Sequence, residues 1–287
     1  ISSMTEHDRL LEQINRLVDL GFEEDIGDGD LTTTATVPSK IRGSALIIAK
    51  APTIVCGLFI ARKVFDRLDP DIVTKPLVKE GRKVRTNSPI LEISGSLASI
   101  LAAERLALNF LSRTSGIANL TAKFVRKTEG TRAKIYGTRK TIPAYRLMDR
   151  YAIVAGGGMN HREALFDAIL IKENHIKCAG GVVEAIELAG RKFPDRQIQI
   201  EVQNAEEMIL ALEEGVDMIL LDNMSPALVK RLVGFSGGRS ILEASGGINL
   251  ANVRDYALAG VDRISIGRLS HSVTGADLSL LVTGTEL

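Results

Sequence analysis

Between residues 134 and 267 the apolar positions fall into short β-rich runs, each followed by a stretch in which they recur at helical spacing. The runs are Lys134 to Thr138, Ala168 to Lys172, Ile198 to Val202, Met218 to Asp222, Ile241 to Ser245 and Arg263 to Gly267. Most are largely apolar, as strands covered on both faces should be. After a candidate Asn204 cap, Ala205, Met208, Ile209 and Leu212 follow helical spacing until Gly215 stops them. Ser225 and Pro226 open a second capped helix through Leu228, Val229, Leu232 and Val233, and Asn249 to Ala259, closed by Gly260, makes a third.

Six such units favour an α/β barrel, complete or incomplete, although periodicity alone leaves a doubly wound sheet open. Polar residues decide for the barrel. Thr138, Lys172, Glu201, Asp222, Ser245 and Gly267 end many different strands, whereas an open sheet concentrates its site near one switch point.

The first half lacks this rhythm. A helix from Thr5 to Leu20 leads to a Gly and Asp loop, then to β-rich runs at Gly43 to Lys50, Ile72 to Thr74 and Pro89 to Ser94. The apolar stretch Ala45 to Ala61, interrupted by Lys50 and Pro52, is too short to span a membrane and reads as buried strands. A long helical stretch from Ser99 to Thr128 follows, with a break expected near Gly116 as the domain boundary. The expected domains are 4–115 and 116–287, with a C-terminal tail able to pack back on the first.

Composition then removes whole classes of function. Of 287 residues 45% are apolar, and 36 Lys and Arg stand against 35 acids. A near-neutral globular chain has no global field to recruit nucleic acid or a membrane surface, so any anion site must be local. No export signal is seen, and Cys56 and Cys178, far apart, suit a reducing cytoplasm as small core hydrophobes.

Local charge is concentrated in Gly137-Thr-Arg-Lys-Thr-Ile-Pro-Ala-Tyr-Arg146 and Gly156-Gly-Gly-Met-Asn-His-Arg162. Arg139, Lys140, Arg146, Arg150, His161 and Arg162 lie in this stretch, and arginine forks bind carboxylates and phosphates bidentately. Alone, a solvated basic loop would be the commoner explanation. Lys172 changes the balance, because a charge ending an apolar strand needs a partner or a ligand. His175 reads as a satisfied hydrogen-bonding residue.

Glu201 and Asp222, at successive strand ends, can converge on ribose hydroxyls or on a divalent cation bound with phosphate; a structural ion pair is the weaker alternative. Glu243-Ala-Ser-Gly-Gly-Ile248 and Ser265-Ile-Gly-Arg-Leu-Ser-His-Ser272 supply two glycine loops able to cradle phosphate. Together these elements describe a phosphosugar site. Arg105, Asn109, Ser112 and Gly116 form a polar stripe that suggests a helix facing another surface. Glu23 to Thr33 lacks the calcium-loop ligand order and reads as a turn with capping acids.

These segments resemble the quinolinate phosphoribosyltransferase family: EEDIGDGDLTT, AERLALNFLSRTSGIA, GTRKTIPAYR, YAIVAGGGMNHR, LIKENH, IEV, ILLDN, LEASGGI and ISIGRLSHS stand in the family's order over nearly the whole chain. The resemblance implies an N-terminal α/β sandwich plus a C-terminal incomplete α/β (TIM-like) barrel, in a homodimer. It implies decarboxylating phosphoribosyl transfer from phosphoribosyl pyrophosphate to quinolinate, with Mg²⁺, on the way to NAD.

Carried over by motif, Arg105 reaches quinolinate in the partner's site, while Arg139, His161, Arg162 and Lys172 hold its carboxylates, with Thr138 beside them. Lys140 lies between substrate and diphosphate, and Glu201 and Asp222 hold the ribose hydroxyls and the magnesium. Lys140, Lys172, Glu201 and Asp222 are the expected catalytic set. Ser245, Gly246 and Gly247, with Ile266, Gly267 and Arg268, cradle phosphate, and His271 assists. Gly137 stands where many relatives have Asp, and Ala144 replaces a usual Gly. The alternatives are a same-fold transferase of the molybdenum-transport-associated branch, disfavoured by LIKENH, and a non-catalytic phosphosugar-binding regulator, which would leave Glu201 and Asp222 without a task.

Overall fold

A computed structural model describes residues 4–286; Ile1 to Ser3 and Leu287, the last residue of the expected second domain, lie outside them. The chain opens with helix α1 (Glu6–Asp25), whose Leu10, Ile14 and Val18 repeat every fourth residue and are buried. Thr5 caps it reciprocally with Asp8. Asp30 caps the short α2 (Leu31–Thr36), accepting from Thr33 N at 2.9 Å. The acidic turn is therefore a helix start.

Strand β1 (Arg42–Ala49) buries alternate residues, Ala45, Ile47 and Ala49 among them. After β2 (Thr53–Ile54), helix α3 (Leu58–Leu68) occupies the end of the apolar stretch expected to be strand throughout. Ile60, Ala61, Val64 and Phe65 give that segment a helical face, and Glu80 accepts the backbone N–H of Gly57 at its start. Then come β3 (Val73–Pro76), β4 (Lys83–Val84) and β5 (Ser88–Ser96).

Helix α4 (Leu97–Lys127) runs unbroken through Gly116. Glycine is needed there for a different reason than a break: a Cβ would lie 2.9 Å from Val273 Cγ1 and closer still to the carbonyl oxygen of Thr274. Ser112, one turn earlier, donates to Ala276 O at 2.7 Å. The small residues of the polar stripe thus seat the chain's own C-terminal segment, while Arg105 and Asn109 remain exposed.

The remaining elements are β6 (Lys134–Tyr136), α5 (Arg146–Ala155), β7 (Ile169–Ile171), α6 (Glu173–Ala179), α7 (Val182–Lys192), β8 (Ile198–Val202), α8 (Ala205–Glu213), β9 (Met218–Asp222), α9 (Pro226–Ser236), β10 (Ile241–Ser245), α10 (Val253–Ala259), β11 (Arg263–Ser265), α11 (Arg268–His271) and β12 (Leu278–Glu286). Asn204 and Ser225 cap α8 and α9 with their side-chain oxygens.

Two compact units emerge, and they do not follow a single cut in the chain: among the described residues, 4–120, 141–156 and 272–286 make one, and 121–140 and 157–271 the other. The first contains the sheet β12-β1-β5-β3, in which β12 runs antiparallel to β1. Helix α5 belongs to it because Arg113 of α4 forks onto the fully buried Asp149, at 2.8 and 3.1 Å, and stacks over Tyr145. Burial raises the Asp149 carboxyl above its usual range, and the Arg113 bonds oppose that shift.

The second unit is a six-stranded parallel sheet ordered β6-β11-β10-β9-β8-β7, flanked in sequence by helices. No pairing closes β6 onto β7 among the described residues, so the barrel is incomplete. Cys56 is buried, but Cys178 on α6 is exposed; the expectation that both are core residues fails for the second.

Ala144 follows Pro143 with φ of 61°, a left-handed conformation that a Cβ disfavours. Ala144→Gly relieves strain of about 1–2 kcal/mol, offset by roughly 0.5–1 kcal/mol of extra chain entropy. Thermal unfolding should therefore show unchanged or modestly raised stability.

Candidate active site

All six barrel strands point their carboxyl ends at one cavity of about 540 Å³, lined only by residues of the second unit. From the β6 end come Thr138, Arg139 and Lys140, and from the segment before β7 come His161 and Arg162. Lys172 follows β7, Glu201 lies near the end of β8, and Asp222 ends β9. Ser245, Gly246 and Gly247 follow from β10; Ile266, Gly267, Arg268 and His271 complete the ring after β11. Arg105, on α4 of the other unit, is not among the lining residues.

Five Lys and Arg side chains face three carboxylates around this cavity. The imbalance is sharpest at Arg139 and Arg162. The Nε atoms of both are buried without a hydrogen-bond partner among the described residues. Burial, and then repulsion from Arg139, lowers the Arg162 guanidinium pKa. Arg162 Nη1 donates to Ala168 O at 2.8 Å, which fixes the guanidinium's direction. Two neighbouring guanidiniums with buried, unpartnered Nε atoms call for an anion with several oxygens.

Lys172 instead finds a protein partner, a close ion pair between its Nζ and Glu201 Oε2. His175 Nδ1 accepts the Lys172 backbone N–H at 2.9 Å, a satisfied capping role as expected. Lys140 is anchored through its carbonyl, which accepts from Ser270 Oγ at 2.9 Å.

Asp222 is steadied by Asn223, whose Nδ2 donates to Asp222 Oδ2 at 2.7 Å and whose backbone N–H reaches Ser245 O at 2.9 Å. Asn223 has φ of 54° and Gly246 φ of 90°. A Cβ on Gly246 would fall 2.7 Å from Asn223 N, so this glycine is a requirement of close backbone approach.

Two contributors escaped the sequence reading. Asn223 was visible only as part of ILLDN, and its left-handed geometry leaves no clear composition signal. Glu243 opens a glycine loop in the sequence pattern, yet its side chain is fully buried at the wall of the cavity. Its carboxylate accepts from Gln199 Nε2 at 2.8 Å and from Ser265 Oγ, and lies 3.5 Å from His161 Nε2. An acid at the third position of an apolar strand, facing inward beside Gln199 and Ser265, was the available signal.

Among the described residues no cluster of three or more His, Cys, Asp or Glu stands ready to hold a metal by itself. No helix there is long and apolar enough to cross a membrane.

Parallel strands that end in cations, two acids and two glycine loops define an α/β barrel with a polyanion site at its carboxyl face. The family model described as the N-terminal domain of quinolinate phosphoribosyl transferase matches residues 30–115, and that of the C-terminal domain matches residues 117–281. The chain is 37% identical over 272 residues to the probable nicotinate-nucleotide pyrophosphorylase (carboxylating) of Bacillus subtilis (strain 168), covering 94% of each. It is 36% identical over 294 residues to the quinolinate phosphoribosyltransferase (decarboxylating) 2, mitochondrial, of Nicotiana glauca, covering 96% of this chain and 83% of that one. The solved nicotinate-nucleotide pyrophosphorylase of Francisella tularensis superposes with a TM-score of 0.91 at 38% identity, over 95% of this chain and 96% of that one. The chain belongs to the quinolinate phosphoribosyltransferase family.

Proposed function

We propose that this chain joins quinolinate to the phosphoribosyl group of phosphoribosyl pyrophosphate with loss of one carboxylate, giving nicotinate mononucleotide, carbon dioxide and pyrophosphate for NAD biosynthesis. The observation that carries this reading is the excess of cation in the cavity, centred on the unpartnered Nε atoms of Arg139 and Arg162. Names and lengths of the relatives support it.

Arg139, Arg162 and Lys172 hold the two carboxylates of quinolinate, with Thr138 and His161 beside them. The phosphoribosyl 5′-phosphate takes the two glycine loops, Ser245 to Gly247 and Ile266 to Arg268, whose backbone N–H groups suit it. Lys140, Arg268 and His271 face the departing diphosphate. Hard oxygen donors at Glu201 and Asp222 fit magnesium, which commonly uses one or two carboxylates together with substrate phosphates. These two residues would hold the ion, and its chemistry is to neutralise charge on the leaving diphosphate.

The bond between C1 of the ribose and diphosphate oxygen breaks with its electron pair leaving on pyrophosphate. Positive charge then grows at C1, where the carboxylates of Glu201 and Asp222 stabilise it. The quinolinate ring nitrogen donates its lone pair to that carbon. The cationic ring then accepts the electron pair of the adjacent carbon–carboxylate bond as carbon dioxide departs, and a proton replaces it. The protein's task is positioning and charge stabilisation, with no covalent nucleophile.

Arg105, outside the barrel cavity, serves the partner subunit's site in the homodimer we propose, since isologous pairing is the commonest assembly. A cytosolic setting is supported by the two free cysteines.

A site built for two carboxylates should reject a ligand with one, because the unmatched cation stays unpaired. Steady-state assays should give quinolinate a kcat/KM at least about a hundredfold above nicotinate. Comparable efficiency on nicotinate would remove the reading.

A further inference from the structure

Glu243 is a fully buried acid that the transfer reaction does not use directly, and the residues around it are arranged in one direction. Gln199 of β8 and Ser265 of β11 are themselves 3% and 4% exposed, and both donate to its carboxylate from inside the barrel. His161 Nε2 supplies the third contact at 3.5 Å. On the other side of the imidazole, Nδ1 accepts the backbone N–H of Arg162 at 2.8 Å.

These contacts fix the proton on the ring. A nitrogen that accepts an N–H bond must keep its lone pair, so Nδ1 is bare, and the ring proton resides on Nε2 facing Glu243. One nitrogen thus holds the Arg162 backbone and the other faces Glu243.

We propose that Glu243 is a positioning residue: by orienting the His161 ring it tethers the backbone of Arg162 and so aims Arg162 at quinolinate. The proposal rests on the assignment of Arg162 to a quinolinate carboxylate. Burial alone would push the Glu243 pKa up, but the His161, Ser265 and Gln199 contacts bring it below its usual value.

Replacing the carboxylate by an amide tests the tether, because it removes the charge that faces His161 Nε2 and leaves a neutral acceptor at best. Calorimetry on Glu243→Gln should show quinolinate affinity reduced roughly tenfold or more, as for loss of a hydrogen bond to a charged group. Affinity for phosphoribosyl pyrophosphate with magnesium should be retained, and Glu243→Asp should recover part of the quinolinate affinity. Unchanged quinolinate affinity in Glu243→Gln would overturn the proposal.

A second measurement needs no variant of Glu243 to fold. In protein labelled with ¹⁵N-histidine, the His161 signals, assigned by their loss in His161→Asn, should report a protonated Nε2 and a bare Nδ1, with and without quinolinate. A doubly protonated ring, or a proton on Nδ1, in either state contradicts the tether. Arg162→Ala separates the underlying assignment: quinolinate affinity preserved in that variant would overturn Arg162 as a carboxylate ligand and the tether with it.

Discussion

Glu201→Gln and Asp222→Asn should each lower turnover of quinolinate with phosphoribosyl pyrophosphate by roughly a hundredfold or more, the size expected when an electrostatic stabiliser of the transition state is removed. Quinolinate binding to the free enzyme should survive. The ion pair of Lys172 with Glu201 makes the first variant the more informative. If Lys172 serves a quinolinate carboxylate, it must leave Glu201 or share itself with the ligand; neutralising Glu201 removes that competition. Calorimetry should therefore find quinolinate bound equally well or more tightly by Glu201→Gln. For Asp222→Asn, whose partner is Asn223 and not a cation, quinolinate affinity should be unchanged. Loss of quinolinate binding as severe as the loss of catalysis would mean that the two acids do not divide the labour in this way.

Mixing Arg105→Ala with Lys172→Ala should restore activity that neither variant has alone. Arg105 is exposed on α4 and does not line the barrel cavity. In a two-fold dimer where Arg105 crosses to the partner, each single variant loses one cation from both of its sites. A mixed dimer has one doubly damaged site and one intact site. Random exchange makes half the dimers mixed, so activity should recover to about a quarter of wild type if the sites act independently. Proven exchange without recovery would place Arg105 within its own subunit or outside the reaction.

The barrel strands were legible because burial on both faces produces continuous apolar runs: Ile198 to Val202, Met218 to Asp222 and Ile241 to Ser245 are the observed β8, β9 and β10 residue for residue. Polar residues at their ends were equally visible, since a charge after such a run needs a partner or a ligand. Fifteen of the sixteen residues proposed from the sequence line the same cavity, with Arg105 the exception.

Other features lie below what pattern can report. Helix α3 hid in an apolar stretch because Leu58 to Ala61, the part inside that stretch, is continuously apolar and shows neither period. Gly116 looked like a break because glycine weakens helices on average, and the reason for it here, close passage of residues 273 to 275, is tertiary. The return of α5 and β12 to the first unit depends on Arg113 meeting Asp149 and on β1 pairing across more than two hundred residues, as in Arg42 with Glu286. Glu243 lies in a recognisable motif, but its burial, and hence its hold on His161, is a property of the packed sheet.

The most direct test of the central claim is to incubate the purified protein with quinolinate labelled in its 2-carboxylate, phosphoribosyl pyrophosphate and magnesium, and to follow carbon dioxide and nucleotide together. The account predicts labelled carbon dioxide, pyrophosphate and nicotinate mononucleotide in equal amounts, and none of them when phosphoribosyl pyrophosphate is omitted. A phosphoribosylated product that keeps both carboxylates, or no consumption of either substrate by the folded protein, would contradict it.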